Sequence, residues 1–394
     1  MCFQGQKARN YGVMSLKSQT KPPASRRPLL IAIILLTAIP SMGEALVLAW
    51  GICHGGAGAA LRDGVDLWAG GFLATHGQMA LLFDPVAYQA FLHGYFGKIP
   101  THMWSYPPNY LLLITGFATL SAWPATLAFD ACSLLALIWV LRLARQNWGL
   151  IIALLASPAA LETIMTGQNA ILLTAFIGGG LLLLPTRPRL GGVLVGLASI
   201  KPQLGLVLPL HLLRRSPIAV LYASLAAVSL AAASLWVFGP GPWVKFWHIT
   251  SPAMTNVLLI GQPQDFAQGL ISVFAAFRPL GIASAFVAQG LVSFAGIIIA
   301  ARTRNPAVVL ILVALASPYL HNYDLLAVAL AVALLVQDRL RTEFGRGETL
   351  LFLIAWAVPG LTIWLPVVDK LVPLILVGLL ASALRRGPVM RCDS

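Results

Sequence analysis

The sequence predicts an all-α polytopic membrane protein: a bundle of about twelve transmembrane helices with a long first outer loop carrying amphipathic helices. Three observations lead there. Of 394 residues, 58% are hydrophobic and 10% charged, with a mean hydropathy of +0.83. Apolar runs of membrane-crossing length recur along the chain. The cations sit in short clusters between those runs, which is how topology is controlled. The net charge is +13. In a soluble protein that would point to nucleic acid. Here no basic face with interleaved aromatics exists, so nucleic acid is excluded as a partner and membrane lipids are expected.

Residues 1–28 are polar and basic, with Lys7, Arg9, Lys17, Lys21, Arg26 and Arg27. This is too long for the start of a signal peptide and reads as a cytoplasmic tail before an uncleaved anchor. The apolar runs are 29–52, 107–123, 125–141, 148–166, 169–185, 190–213, 217–238, 280–301, 306–318, 322–337, 349–366 and 371–385. An even number of passes puts both ends in the cytoplasm. Arg302 and Arg304, then Arg339, Arg341 and Arg346, then Arg385, Arg386 and Arg391 agree with that. Arg142, Arg145, Arg187 and Arg189 do not, unless short runs such as 169–185 and 306–318 only half-span or re-enter. The expected organisation is a transmembrane domain over 29–385 between cytoplasmic tails 1–28 and 386–394, in the inner (plasma) membrane.

Two segments are not apolar, 53–106 and 239–279, and alternation puts both outside. A loop as long as the first usually carries function. Its aromatic-rich pieces around 65–76 and 85–96 look like amphipathic helices lying in the interface plane. No internal repeat is evident, which weakens a transporter built from matching halves. Cys2, Cys53, Cys132 and Cys392 form no CxxC pair, so neither a disulfide framework nor a zinc site is expected.

One lysine stands out. Lys201 lies within GGVLVGLASIKPQLGLVLPLHLLRR, and Pro202 follows it. A charge at bilayer depth costs roughly 2.5–3.5 kcal/mol, so it needs a partner or a wet cavity. The proline kinks or breaks the helix there. A cation at a broken helix fits an anionic ligand. The alternatives are a snorkelling side chain or a pair with a buried acid such as Glu162 or Asp130. On the ligand reading, removing the charge relieves a desolvation cost.

Four further clusters carry polar chemistry. Asp63 and Asp66 share a face if their segment is helical, and a carboxylate at the membrane boundary can serve as general base; either also fits a solvated loop acid or a helix cap. Asp84-Pro85 reads as a turn, and Trp104-Ser105-Tyr106-Pro107-Pro108 as the start of the second span. Thr166-Gly167-Gln168-Asn169 puts two amides at a helix junction, suited to sugar hydroxyls or to helix ends. Ser317-Pro318-Tyr319-Leu320-His321-Asn322-Tyr323-Asp324 forms the outer tip of a helical hairpin, where His321 can donate to a phosphate or shuttle a proton. Gly178, Gly179 and Gly180 read as close helix packing. No GxxxxGK[ST], GxGxxG after a strand, GxSxG or HExxH occurs.

The run GQNAILLTAFIGGGLLLLPTRPRLGGVLVGLASIKPQLGLVLPLHLLRR resembles the characteristic stretch of glycosyltransferase family 87, in the GT-C superfamily. So do the early Asp, WAGG, FDP and YPP of the first loop, and SPYLHNYDLL near the end. The resemblance spreads over roughly residues 30–340. It implies a GT-C-like bundle that takes a hexose, often mannose, from a polyprenyl-phosphate donor on the outer face. It also implies an aspartate of the first outer loop as base. Asp63 keeps the better distance to Trp68 and Gly77; Asp66 better fits an acid followed by an apolar residue and an aromatic. Both stay open. The expected mechanism is an inverting displacement, with Lys201 and His321 binding the donor phosphate. Gln168, Asn169, Tyr319, Asn322, Tyr323 and Asp324 would contact substrate. The acceptor would be a glycolipid or glycan. No cofactor or metal is required, because the leaving phosphate already carries its charge. The competing function is a transporter or flippase of a lipid-linked saccharide, which needs no base outside the membrane.

Overall fold

Proline and glycine set the boundaries of most elements. The structure, a computed structural model, describes residues 62–97, 99–261 and 269–385, with Ile39, Met42, Gly43 and Leu46 from the first apolar run. The rest of that run, both tails, residues 53–61 and residues 262–268 lie outside the described residues, and the expectations for them with it. The loop 53–106 contributes α1 (Gly64–Thr75) and α2 (Pro85–Phe96). Then come α3 (Ala122–Leu143), α4 (Trp148–Leu155), α5 (Pro158–Thr166) and α6 (Ala170–Leu183). The next are α7 (Pro188–Leu197), α8 (Leu208–Arg215) and α9 (Pro217–Phe238). The last five are α10 (Ile282–Arg302), α11 (Pro306–Ala316), α12 (Leu326–Arg339), α13 (Glu348–Trp364) and α14 (Val372–Arg385). No strand occurs among the described residues.

Among the described residues, four helices are long and apolar enough to cross a membrane. They are α3, α9, α10 and the stretch 367–385 that ends in α14. A fifth span results if α4 and α5, bent by 52°, count as one. Ser157 and Pro158 cause that bend: the serine hydroxyl caps α5 by accepting from the Ala160 N–H at 3.2 Å, and the proline occupies its first turn. Four shorter apolar helices, 170–183, 188–200, 306–316 and 348–364, account for other expected passes. The apolar run 107–123 is not one helix. Pro107, Pro108 and Gly116 divide it into a 3-10 turn, the single turn Leu111–Ile114 and another 3-10 turn. Counting apolar runs therefore overstates the number of full-length spans, because composition registers hydrophobicity and misses where a helix stops.

The α11–α12 hairpin is the centre of the bundle. Every residue from Ala307 to Leu315 is 3% exposed or less. A helix apolar all round must be enclosed by others. The three successive glycines of α6 make that possible. A methyl group at Gly178 would meet Leu330 of α12, one at Gly179 would meet Val140 of α3, and one at Gly180 would meet Val195 of α7. Gly192 and Gly196 of α7 likewise admit the backbone of α9 at Ala219 and Ala223. On the outside, Leu221, Leu225, Val228 and Trp236 of α9 and Phe286, Leu291 and Phe294 of α10 are exposed, as lipid-facing side chains should be.

Helix α1 does not lie at an interface as its aromatic pattern suggested. Helix α1 is part of the core, with Trp68 at 1% and Leu73 at 0% exposure. Gly70 sits against the Trp104 ring, and Gly71 against Ile114 and Ala118. Its one strongly polar side chain beyond the first residues is Asp66, which turns toward α2. Helix α2 starts on Asp84, whose carboxylate accepts from the Val86 and Ala87 N–H groups at 3.0 Å, with Pro85 in the first turn. The turn reading of Asp84-Pro85 is thus an N-cap.

Candidate functional site

The site forms where the loop 53–106 meets two interruptions of the bundle. At the α5–α6 junction, Gly167 has a φ of +66°. This left-handed residue ends α5. A Cβ there would collide with the backbone of Gly64, so the glycine also lets the start of α1 come close. That approach puts the Gln168 amide on Asp63: Nε2 donates to Oδ2 at 2.8 Å. Gln168 Oε1 in turn accepts from the Tyr106 hydroxyl at 2.8 Å. Asp63 precedes α1 but makes no cap bond. Asn169 is fully buried beside Tyr110.

Asp66 is held by the loop itself. The Tyr88 hydroxyl of α2 donates to Oδ1 at 2.6 Å. His102 Nδ1 lies 3.2 Å from Oδ2. The segment carrying His102 is fixed to α2: its backbone N–H donates to Gln89 Oε1 at 2.9 Å, and Gln89 Nε2 donates to the Pro100 carbonyl at 3.1 Å. Burial, then the Asp66 charge and its hydrogen bond, push the Tyr88 phenol well above its ordinary value. For His102, burial works to lower the imidazole pKa. The charge and hydrogen bond of Asp66, helped by Asp63, outweigh it, and the net shift is upward.

The second interruption is at Lys201. Two 3-10 turns, Ala198–Ile200 and Pro202–Gly205, meet there, as the proline required. The Lys201 ammonium pairs with Asp324 Oδ1 at 2.5 Å and lies 4.9 Å from the centre of the Tyr323 ring. Its acid is therefore Asp324, and neither Glu162 nor Asp130. The hairpin tip folds around this pair. Asp324 Oδ2 accepts from the His321 N–H at 3.1 Å. The His321 ring stacks on Tyr323 at 5.2 Å and meets the edge of Tyr319 at 5.2 Å. Asn322 Nδ2 reaches Glu162 of α5 at 3.4 Å, and Arg62 reaches the same carboxylate at 4.0 Å. The second outer loop joins through the Ile271 N–H, which donates to the Leu320 carbonyl at 2.9 Å.

These parts form one polar centre. Burial pushes the Tyr106 phenol well above its ordinary value, and Tyr110 and the charges of Asp63, Asp324 and Asp66 together raise it further. The ten residues singled out from the sequence, Asp63, Asp66, Gln168, Asn169, Lys201, Tyr319, His321, Asn322, Tyr323 and Asp324, come from four separate stretches of chain to the Tyr106 neighbourhood. Four participants were missed. Tyr106 was read as architectural, Tyr88 and His102 carry no spacing signal, and Glu162 was considered only as a partner for Lys201. For Tyr88, His102 and Tyr106 the available clue was the density of polar and aromatic side chains in the loop 53–106; Glu162, inside an apolar run, carried only its charge.

The model of glycosyltransferase family 87 matches residues 104–336, more than half the chain. The chain belongs to this family. It is a membrane glycosyltransferase. The matched stretch holds Tyr106, Gln168, Lys201 and the hairpin tip, and begins after Asp63, Asp66 and His102. No curated protein and no solved structure matches the chain.

Proposed function

We propose that this family 87 enzyme transfers a hexose, mannose by the resemblance, from a polyprenyl-phosphate donor to a glycolipid or glycan acceptor. The reaction takes place at the outer face of the plasma membrane and inverts the anomeric centre. The observation that carries the reading is the convergence of outer-loop carboxylates with a buried cation at one polar centre of an apolar bundle. The acceptor oxygen bonds to the anomeric carbon while the bond from that carbon to the phosphate oxygen breaks. The phosphate leaves with the electron pair, and Asp66 or Asp63 takes the hydroxyl proton. Lys201 and His321 face the phosphate, with Lys201 shared between it and Asp324. Gln168, Asn169, Asn322 and the tyrosines Tyr319 and Tyr323 offer donors and acceptors to sugar hydroxyls. The displacement requires no metal, since the leaving phosphate already carries its charge.

The test uses membranes containing the protein and radiolabelled polyprenyl-phosphate hexoses, with transfer of label to lipid or glycan as readout. Loss of a positioned base costs about 10²–10⁴-fold in rate. We expect such a loss in Asp66→Asn or Asp63→Asn with expression unchanged. Full activity in both single variants and in the double variant would sink the role of the outer-loop acids.

A further inference from the structure

We propose that His102 is the positioning residue of Asp66, and that this support makes Asp66, rather than Asp63, the base. The proposal rests on the glycosyltransferase reading above. Its ground is the difference between the two carboxylates. Asp63 is bound by a neutral amide, Gln168, which Tyr106 locks in turn, so it ties the loop to the bundle. Asp66 takes one hydrogen bond on each oxygen, from Tyr88 and from His102, both on the outer loop. Each carboxylate oxygen can accept two, so one acceptor position per oxygen stays open for the incoming hydroxyl.

The two supports are themselves fixed. Tyr88 is fully buried, and the His102 side chain is 7% exposed. Gln89 fastens the His102 backbone to α2, so the imidazole approaches from one direction. Asp66 keeps 15% exposure, enough to meet a substrate. The groups facing His102 are Asp66 on α1 and Asp63 just before it, together with Gln89 on α2. The two charges raise the imidazole's proton affinity. In either protonation state Nδ1 can donate to Asp66, since a neutral imidazole keeps one N–H. In the reaction the acceptor proton moves to Asp66. His102 neither gains nor loses a proton; it holds the carboxylate's direction and favours its charged form.

The experiment uses the full chain in two arms. In the first, kcat and kcat/KM are followed against pH with labelled polyprenyl-phosphate hexose. In His102→Phe and in Tyr88→Phe, kcat should fall about tenfold to a hundredfold while KM stays nearly constant, as for lost orienting partners of a reactive group. The acidic limb should move upward, because a donor to the charged carboxylate is gone. His102→Asn, whose amide can donate from the same direction, should restore most of the rate. Asp63→Asn should leave the acidic limb in place. A limb that moves in Asp63→Asn but not in His102→Phe or Tyr88→Phe overturns the proposal. The second arm needs no transfer. Thermal stability of His102→Asn, His102→Phe, Asp66→Asn and the double variant His102→Phe/Asp66→Asn gives the coupling of the pair. Non-additive losses for the Phe variant support it, and additive losses overturn it. If wild type transfers no label from any donor while the coupling is present, the function fails and the pair stands.

Discussion

Asp66 and Asp324 belong to one polar centre and are held in opposite ways. Asp324 is sealed, with its side chain at 0% exposure, and faces a full cation, Lys201, at 2.5 Å. Asp66 is 15% exposed and faces a hydroxyl and an imidazole. A carboxylate sealed against a buried ammonium serves as an anchor, because separating the pair strands a charge. One oriented by hydrogen-bond donors with lone pairs to spare can take a proton up. On the proposed reading, the loop 53–106 therefore brings the reactive acid, and the broken helix at Lys201 brings a fixed frame around the hairpin tip.

The largest effect should come from separating the buried pair. Removing one partner of a buried ion pair costs about 3–5 kcal/mol, because the other charge is stranded. Lys201→Met and Asp324→Asn should each lower thermal stability in detergent by that much, and Lys201→Met/Asp324→Leu should regain most of it. On sequence alone, losing the Lys201 charge looked favourable. The partner reverses the sign. If Lys201→Met is as stable as wild type, Asp324 is no anchor and the contrast with Asp66 disappears.

A smaller loss is expected where the two regions meet. Gly167→Ala puts a methyl group on the Gly64 backbone at a φ of +66°. Overpacking of this kind costs about 1–3 kcal/mol. It should also pull Asp63 from Gln168 and reduce transfer. Unchanged transfer with unchanged stability would mean that the loop docks by other contacts.

The smallest effect is a pH dependence. The His102 pKa is raised in the folded protein, so its contribution to stability is whole below the ordinary value of 6.5 and is lost as pH rises through the raised value. The stability deficit of Asp66→Asn relative to wild type should therefore be larger near about pH 6 than near about pH 9. A deficit that grows with pH would contradict the His102–Asp66 contact.

Much of the bundle was legible. The runs 217–238, 280–301 and 371–385 fall within a few residues of α9, α10 and α14, because long uninterrupted hydrophobicity admits no other structure in a bilayer. The break at Lys201-Pro202 and the packing role of Gly178, Gly179 and Gly180 were legible too, since each follows from the chemistry of one residue. The run 107–123 failed, because two prolines and a glycine stopped the helix inside an apolar stretch. The burial of α1 was also not foreseen. Its aromatic face pointed to an interface, and only Gly70 and Gly71 lying against Trp104 and Ile114 draw it into the core.

By itself the sequence determined that this is a helical membrane protein of glycosyltransferase family 87, and which four stretches with polar side chains to watch. Hydropathy, breaker residues and local motifs are short-range properties, and a linear chain carries them openly. The tertiary structure alone decided that Lys201 pairs with Asp324, 123 positions away, and that Gln168 holds Asp63 across 105. It also decided that Tyr88 and His102 converge on Asp66. Such pairings depend on where helices stop and which glycines let them touch, and no local pattern of residues encodes a partner at that distance.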